Sequence, residues 1–335
     1  MTKIAVLGAG SWGIATSVLL SSNKHQVTLW EFDHLEMIKL SQKREHKEKL
    51  PGIKIPKEIE ITDDLTSATW GAEMLALALP SHTVREVAKK LTMLDLNDPI
   101  IVNLAKGIEN DTLCRISEIL KEELPSNLHD KIATLSGPSH AEEVSKQIPT
   151  TVVVAGFQEE IAKKIQQAFM NPYFRVYTNS DIIGVELGGS LKNVIAIASG
   201  ICDGMGLGDN SRGALVTRGL AEIVRLGERL GAKRETFAGL SGLGDLVTTC
   251  VSKYSRNRFV GEQIGKGKTL DQVLKEMTMV AEGIKTTRSA YQLSTKYEVE
   301  MPITQQVYQV LFEDRKPQQA IAELMTRDPK SEIWG

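Results

Sequence analysis

Lys192 stands in an otherwise apolar, small-residue run, Gly188-Gly-Ser-Leu-Lys-Asn-Val-Ile-Ala. Burial there would strip water from its ammonium and draw its pKa down from about 10.4 toward neutrality, as an acid/base catalyst requires. The plainer alternative is a snorkelling side chain whose head reaches water. Asp245 closes a glycine-rich turn, Gly239-Leu-Ser-Gly-Leu-Gly-Asp, where bare backbone can approach a ligand. Its carboxylate can bind a substrate hydroxyl or orient Lys192, and Thr249, four residues on, shares its helix face. Asp245 can also be simply an N-cap. Ser255, Arg256 and Asn257 have the make-up of a phosphate grip: the guanidinium offers bidentate, permanently charged contacts, and Ser and Asn add donors. Arg256 and Arg258 can equally be a solvated pair on a helix.

A second constellation opens the chain. Gly8-Ala-Gly10-Ser-Trp-Gly13 directly follows an apolar run and precedes a helical pattern, the context that gives a GxGxxG meaning. Gly8 permits the tight turn, Gly10 lets a pyrophosphate reach the backbone, and Gly13 allows close helix–strand packing. The helix start adds free amides and partial positive charge. Glu31 lies about 20 residues past the loop, where a dinucleotide fold places the acid for the ribose hydroxyls. Asp33 competes for that role, and either acid can instead cap the helix beginning near Leu35. An acid there repels a 2′-phosphate, which tilts the cofactor toward NAD over NADP. Ser11 and Trp12 in the loop, and Phe32 between the acids, complete the local cofactor set. Lys106 follows another apolar run and so sits at a strand's carboxyl end, where open α/β sheets bind ligands; helix capping or surface charge is its ordinary alternative.

Such residues need a frame. Lys3–Leu7, Gln26–Glu31, Met74–Leu79, Ile100–Leu104, Lys131–Leu135 and Thr151–Ala155 read as buried strands. Helical patterns lie between them at Trp12–Ser22, Leu35–Lys43, Thr83–Leu91, Thr112–Leu124 and Glu159–Phe169. The alternation predicts an α/β N-terminal Rossmann-type doubly wound sheet, mostly parallel and covered on both faces, over residues 1–180. Strand signals stop near Asn179. Asp181–Gly200, Gly213–Leu230, Leu240–Cys250, Thr269–Glu276, Thr287–Lys296 and Thr304–Leu311 predict an all-α C-terminal domain over 181–335. The run Lys43–Lys49 alternates sign and reads as a solvated helix end or loop.

The chain's 335 residues suit two domains. Lys+Arg at 40 against Asp+Glu at 42 argues against a nucleic-acid binder, which would be clearly basic. The apolar runs fall short of a membrane span, and Met1-Thr-Lys enters an apolar run without a secretory signal. Cys114, Cys202 and Cys250 are scattered, fitting neither a disulfide scaffold nor a zinc set, so a reducing, cytoplasmic setting and metal-free chemistry are expected.

Taken together, GAGSWG (8–13), NLAKGIE (103–109), LSGPSHAEEV (135–144), GGSLKNVIAIASGICDGMGLGDN (188–210), GLSGLGDLVTTC (239–250), SRNRFVGE (255–262) and VAEGIKT (280–286) resemble the NAD(P)-dependent glycerol-3-phosphate dehydrogenases. The resemblance spans nearly the whole chain. It implies reversible reduction of dihydroxyacetone phosphate to sn-glycerol 3-phosphate for phospholipid synthesis, an interdomain active site and a homodimer. It places the general acid/base at Lys192. Lys106 would touch both cofactor and substrate, Gly137 and Ser139 the substrate, and Ala141, Val280, Glu282 and also Arg256 the cofactor. A dehydrogenase of a hydroxy acid or 6-phosphogluconate is the neighbouring reading, but the GLSGLGDLVTTC and SRN segments fit a small phosphorylated triol better. A nucleotide-sensing module would not need Lys192, Asp245 and Arg256 together. A helical scaffold for partners has only amphipathicity in its favour.

Overall fold

The computed structural model describes residues 1–277 and 279–332. Two compact units emerge. One comprises Met1–Lys106 with Cys114–Glu186; the other comprises Gly107–Leu113 with Leu187 onward.

The first unit holds β1 (Lys3–Leu7), α1 (Ser11–Ser22), β2 (Gln26–Trp30), α2 (His34–Lys43), β3 (Glu60–Thr62), α3 (Leu65–Thr69), β4 (Met74–Leu77), α4 (Val84–Leu91) and β5 (Ile100–Asn103). After these come α5 (Ile116–Glu123), β6 (Ile132–Ser136), α6 (Ala141–Val144), β7 (Thr150–Gly156), α7 (Glu159–Phe169) and β8 (Phe174–Asn179). The eight strands form one sheet ordered β3-β2-β1-β4-β5-β6-β7-β8. All neighbours are parallel except β6 and β7, which pair antiparallel with Ser136 opposite Val153. The continuous apolarity of the central strands follows from double coverage. In β1, Ile4 and Val6 face a core with Ile14, Leu19 and Ile165, whereas Ala5 and Leu7 face one with Val84, Leu91 and Ile119. The doubly wound sheet is therefore the one anticipated, with two strands added. β3 has only three residues, and β8 alternates buried and exposed positions at the sheet's edge. Neither carries the buried-strand signature. The helix anticipated from Thr112 starts at Ile116, because Leu113 takes a left-handed conformation (φ +63°).

Helix α8 (Ile182–Gly204) passes from the first unit into the second. It is followed by α9 (Asp209–Arg229), α10 (Arg234–Phe237), a π-helical turn at Leu240–Gly244 and α11 (Asp245–Val251). Then come α12 (Arg256–Gly265), α13 (Leu270–Glu276), α14 (Glu282–Lys296), α15 (Pro302–Phe312) and α16 (Pro317–Met325). No described strand follows Asn179. α8 is long and apolar enough to cross a bilayer, yet its most apolar window is 94% buried within the protein. Its glycines explain how it is packed. A Cβ on Gly200 would lie 2.7 Å from Glu262 N and closer still to Arg258 O, and one on Gly261 would lie 2.8 Å from Ile201 N and closer still to Ile197 O. Gly204 and Gly265 make the same kind of backbone-to-backbone approach. α8 and α12 thus cross with no side chains between them, which sets the start of α12 against the helix carrying Lys192.

Candidate functional site

In the first unit the candidate ligand groups lie at the carboxyl ends of the strands. Gly8 follows β1 with φ +109°, and a Cβ there would be 2.7 Å from Ala78 O. A Cβ on Gly13 would be 3.0 Å from Gly8 C and closer to its oxygen, so the turn and helix can nest only as glycines. Gly10, by contrast, borders open space. It is the N-cap of α1, with no side-chain cap and no acid in the first turn. The helix's partial positive charge is left for an external anion. This bare cradle fits the pyrophosphate of a dinucleotide, and β1 and β4, where the strand order reverses, flank it.

Glu31 follows β2 directly and is only 3% exposed. Burial pushes its carboxyl above the usual range, opposed by the Asp33 amide, which donates to Oε1 at 3.2 Å, and by nearby Lys49. Asp33 caps α2 by accepting from Glu36 N at 2.9 Å, while Phe32 is 76% exposed. The two acids therefore divide the alternatives: Asp33 is the cap and Glu31 holds the strand end. Arg44, the first arginine after them, is committed to the carbonyls of Ile55, Pro56 and Ile59. Lys49 went unremarked in the sequence because it closes a run read as solvated. In the structure His46 of that run is buried, and the Lys49 carbonyl accepts the Ser11 hydroxyl at 2.6 Å, tying the segment to the glycine loop. Trp12 packs partly buried against the core.

Along the same edge, Lys106 follows β5 and Gly137 follows β6. Lys106 Nζ donates to Gly137 O at 2.9 Å, and Ser139 Oγ donates to that oxygen at 3.0 Å. Gly137 has φ +133°, and a Cβ on it would meet Val152 Cα at 3.0 Å. Ala141 opens α6, buried. The strand ends thus bring Lys106, Gly137 and Ser139 together, as their sequence positions alone could not reveal.

The second unit assembles the proton-transfer candidates. Lys192 is 5% exposed, so it does not snorkel. Its ammonium donates to Asp245 Oδ1 and to Thr249 Oγ1, each at 2.6 Å. Thr249 passes its own hydrogen back to Asp245 O at 2.6 Å, leaving its lone pairs to the lysine. α11 supplies both partners from one face, as the four-residue spacing requires. Of the roles open to Asp245 in the sequence, the structure shows contact with Lys192, from whose ammonium its buried carboxylate accepts. Cys250, next to Thr249, is fully buried, and desolvation pushes its thiol up to about 12, which keeps it an inert neutral packing group.

Ser255, Arg256 and Asn257 open α12, and the two arginines of that motif part ways. Arg258 is bound to Asp203 Oδ2 at 2.7 Å and approaches Glu262, whereas Arg256 is exposed at the first helical position. Ser255 is the N-cap, accepting from Arg258 N at 3.1 Å. Asn257 is buried; its amide donates to Asn193 Oδ1 at 2.9 Å and accepts from Gly283 N at 2.8 Å. It joins α8, α12 and α14, a fixing role that the sequence reading did not foresee. Glu282 is the first residue of α14, and Val280, two residues before it, is 41% exposed. No group of three or more His, Cys, Asp or Glu suited to a metal occurs among the described residues.

Comparison with known proteins identifies the family. Family models for NAD-dependent glycerol-3-phosphate dehydrogenase match residues 3–162 (N-terminus) and 181–322 (C-terminus). The chain is 51% identical over 333 residues to the NAD(P)+ glycerol-3-phosphate dehydrogenase of Fusobacterium nucleatum subsp. nucleatum, covering 99% of each. It is 53% identical over 331 residues to that of Carboxydothermus hydrogenoformans, covering 99% of this chain and 98% of the relative. The crystal structure of glycerol-3-phosphate dehydrogenase from Coxiella burnetii superposes with a TM-score of 0.93 at 37% identity, covering 97% of this chain and 99% of that one. With near-complete coverage at this identity, the chain belongs to the NAD-dependent glycerol-3-phosphate dehydrogenase family and is an NAD(P)-dependent oxidoreductase acting on a CH–OH group.

Proposed function

We propose that the protein reduces dihydroxyacetone phosphate reversibly to sn-glycerol 3-phosphate, with the residues named above in the roles that follow. The observation that carries this reading is the buried Lys192–Asp245–Thr249 cluster. A bound nicotinamide supplies or accepts the hydride. The first unit binds the dinucleotide: the Gly8–Gly13 loop receives the pyrophosphate, and Glu31 receives the ribose hydroxyls. The second unit carries the proton-transfer cluster; it also takes in Gly107–Leu113, and the first unit runs to Glu186, where the sequence expectation was a break between 180 and 181. Lys192 gives its proton to the C2 oxygen during reduction and recovers it in the reverse direction, while Asp245 and Thr249 keep Nζ in one orientation. Lys106, Gly137 and Ser139 contribute to substrate binding, and Ala141, Val280 and Glu282 to cofactor binding. The same reading carries a homodimer, a cytoplasmic setting and a product destined for phospholipid synthesis.

The test is NADH and NADPH oxidation by purified protein with dihydroxyacetone phosphate, followed at the nicotinamide absorbance. Turnover is expected with both cofactors and faster with NADH, because Glu31 is an acid and Arg44 is already taken by three carbonyls. Nicotinamide binding without turnover would remove the reading.

We assign the phosphate to Arg256, a guanidinium exposed at the first position of α12. Arg256→Ala should raise KM for dihydroxyacetone phosphate by roughly a hundredfold, the scale of a lost charge-assisted bidentate contact. Unphosphorylated dihydroxyacetone, turned over at high concentration, should be affected far less. Equal damage to both substrates would contradict the phosphate role.

A further inference from the structure

Residues Gly107–Leu113 continue directly from Lys106, at the end of β5, yet they belong to the helical unit. Two serines tie this strap to that unit. Ser190 of α8, 2% exposed, donates its hydroxyl to Gly107 O at 3.2 Å. Ser289 of α14, fully buried, lies 3.1 Å from Ile108 O and 2.6 Å from Asn110 Oδ1. Gly107 and Ile108 are themselves buried, so their carbonyls need protein donors. Gly107 is covalently adjacent to Lys106, and Ser190 stands two residues before Lys192 on one helix. At 1.5 Å of rise per residue, a helix holds such a spacing rigidly.

We propose that Ser190 is a positioning residue for the reaction, acting on Lys106 through the Gly107 carbonyl. The inference rests on the reading of Lys106 and Lys192 as substrate-binding and proton-transfer groups. Neither serine's hydroxyl touches those side chains in the hydrogen bonds described, so any catalytic effect runs through the backbone of the strap. Removing the Ser190 hydroxyl leaves a buried carbonyl without its donor, and the strap relaxes where it meets Lys106. A displacement of about 1 Å in a positioning group costs on the order of a hundredfold in rate.

The experiment compares Ser190→Ala, Ser289→Ala and Thr304→Val with the parent protein. Thr304 is a control: its buried hydroxyl is bonded to Glu222 at 3.0 Å and makes no described bond to the strap. Ser190→Ala is expected to lower kcat roughly ten- to a hundredfold while NADH affinity, read by fluorescence, stays at the parent value. The isotope effect with NADH deuterated at the transferred position should rise, and amide exchange across 107–113 should accelerate. Ser289→Ala should show the same signature at the strap's other tie, and it keeps the test open if Ser190→Ala folds poorly. Thr304→Val should lower thermal stability without moving kcat or the isotope effect. Parent-like kcat and isotope effect in both serine variants would overturn the proposal, as would a kcat loss that Thr304→Val reproduces. A parent protein that does not turn over dihydroxyacetone phosphate overturns the underlying reading, and the positioning role with it.

Discussion

Replacing Lys192 by alanine should lower kcat for ketone reduction by roughly 10²–10⁴-fold, the usual contribution of a positioned general acid. The confounding effect is structural: alanine would leave Asp245, 1% exposed, as a buried carboxylate without its ammonium, a change that typically costs about 3–5 kcal/mol. Lys192→Arg separates the two. Arginine keeps a cation beside Asp245, but it does not give up a proton in the working pH range. It should therefore recover most of the lost stability and little of the lost rate. Added primary amines should restore part of the activity of Lys192→Ala if the missing element is a proton donor. Parent-like turnover by Lys192→Ala would exclude the residue from proton transfer.

The largest stability effect is expected at Gly261. A Cβ there would be 2.8 Å from Ile201 N and closer still to the Ile197 carbonyl oxygen, and neither atom can swing aside because both are helix backbone. Gly261→Ala must separate α12 from α8 and is expected to cost about 4 kcal/mol, at the upper end for a single substitution. For a chain of this size that is a Tm fall of about 6 °C. Gly213→Ala is the matched contrast. Gly213 lies inside α9 with nothing within 4 Å of the added methyl, so helix propensity alone decides. There the substitution should stabilise by about 0.5–1 kcal/mol. Thermal unfolding of the two variants reads both signs. A Gly261→Ala protein as stable as the parent would mean that α8 and α12 can separate at no cost.

These two residues also mark what the sequence could and could not reveal. Lys192 was legible because a charged residue in an apolar run is locally anomalous, and Gly8, Gly10 and Gly13 were legible because their spacing has a single local purpose. The buried strands declared themselves through continuous apolarity. β3 and β8 lacked that signal, being short or half-exposed at an edge. Gly200, Gly204 and Gly261 stood in recognisable motifs and Gly265 just beyond one, yet their purpose is a contact between helices about 60 residues apart, which local pattern does not encode. The same holds for the Ser190 tie to Gly107 and for the Asn257 bridge. Lys49 was hidden differently: its charge looked like its solvated neighbours', and only the fold lays its backbone against Ser11.

The reversal between β6 and β7 sets the terms on which this protein can vary. In a parallel pair, the intervening chain must travel the length of the sheet and return, and its length is fixed by that journey. Here Ser136 and Thr150 end and begin antiparallel neighbours, so residues 137–149 leave and re-enter at one edge. That edge is where Gly137 and Ser139 meet Lys106. Ala141 and Val144 of this segment are buried in the core and fix its first half, whereas residues 146–149 are exposed. Changes of length at 146–149 should therefore alter the surroundings of the proposed ligand-binding edge while the strands keep their register.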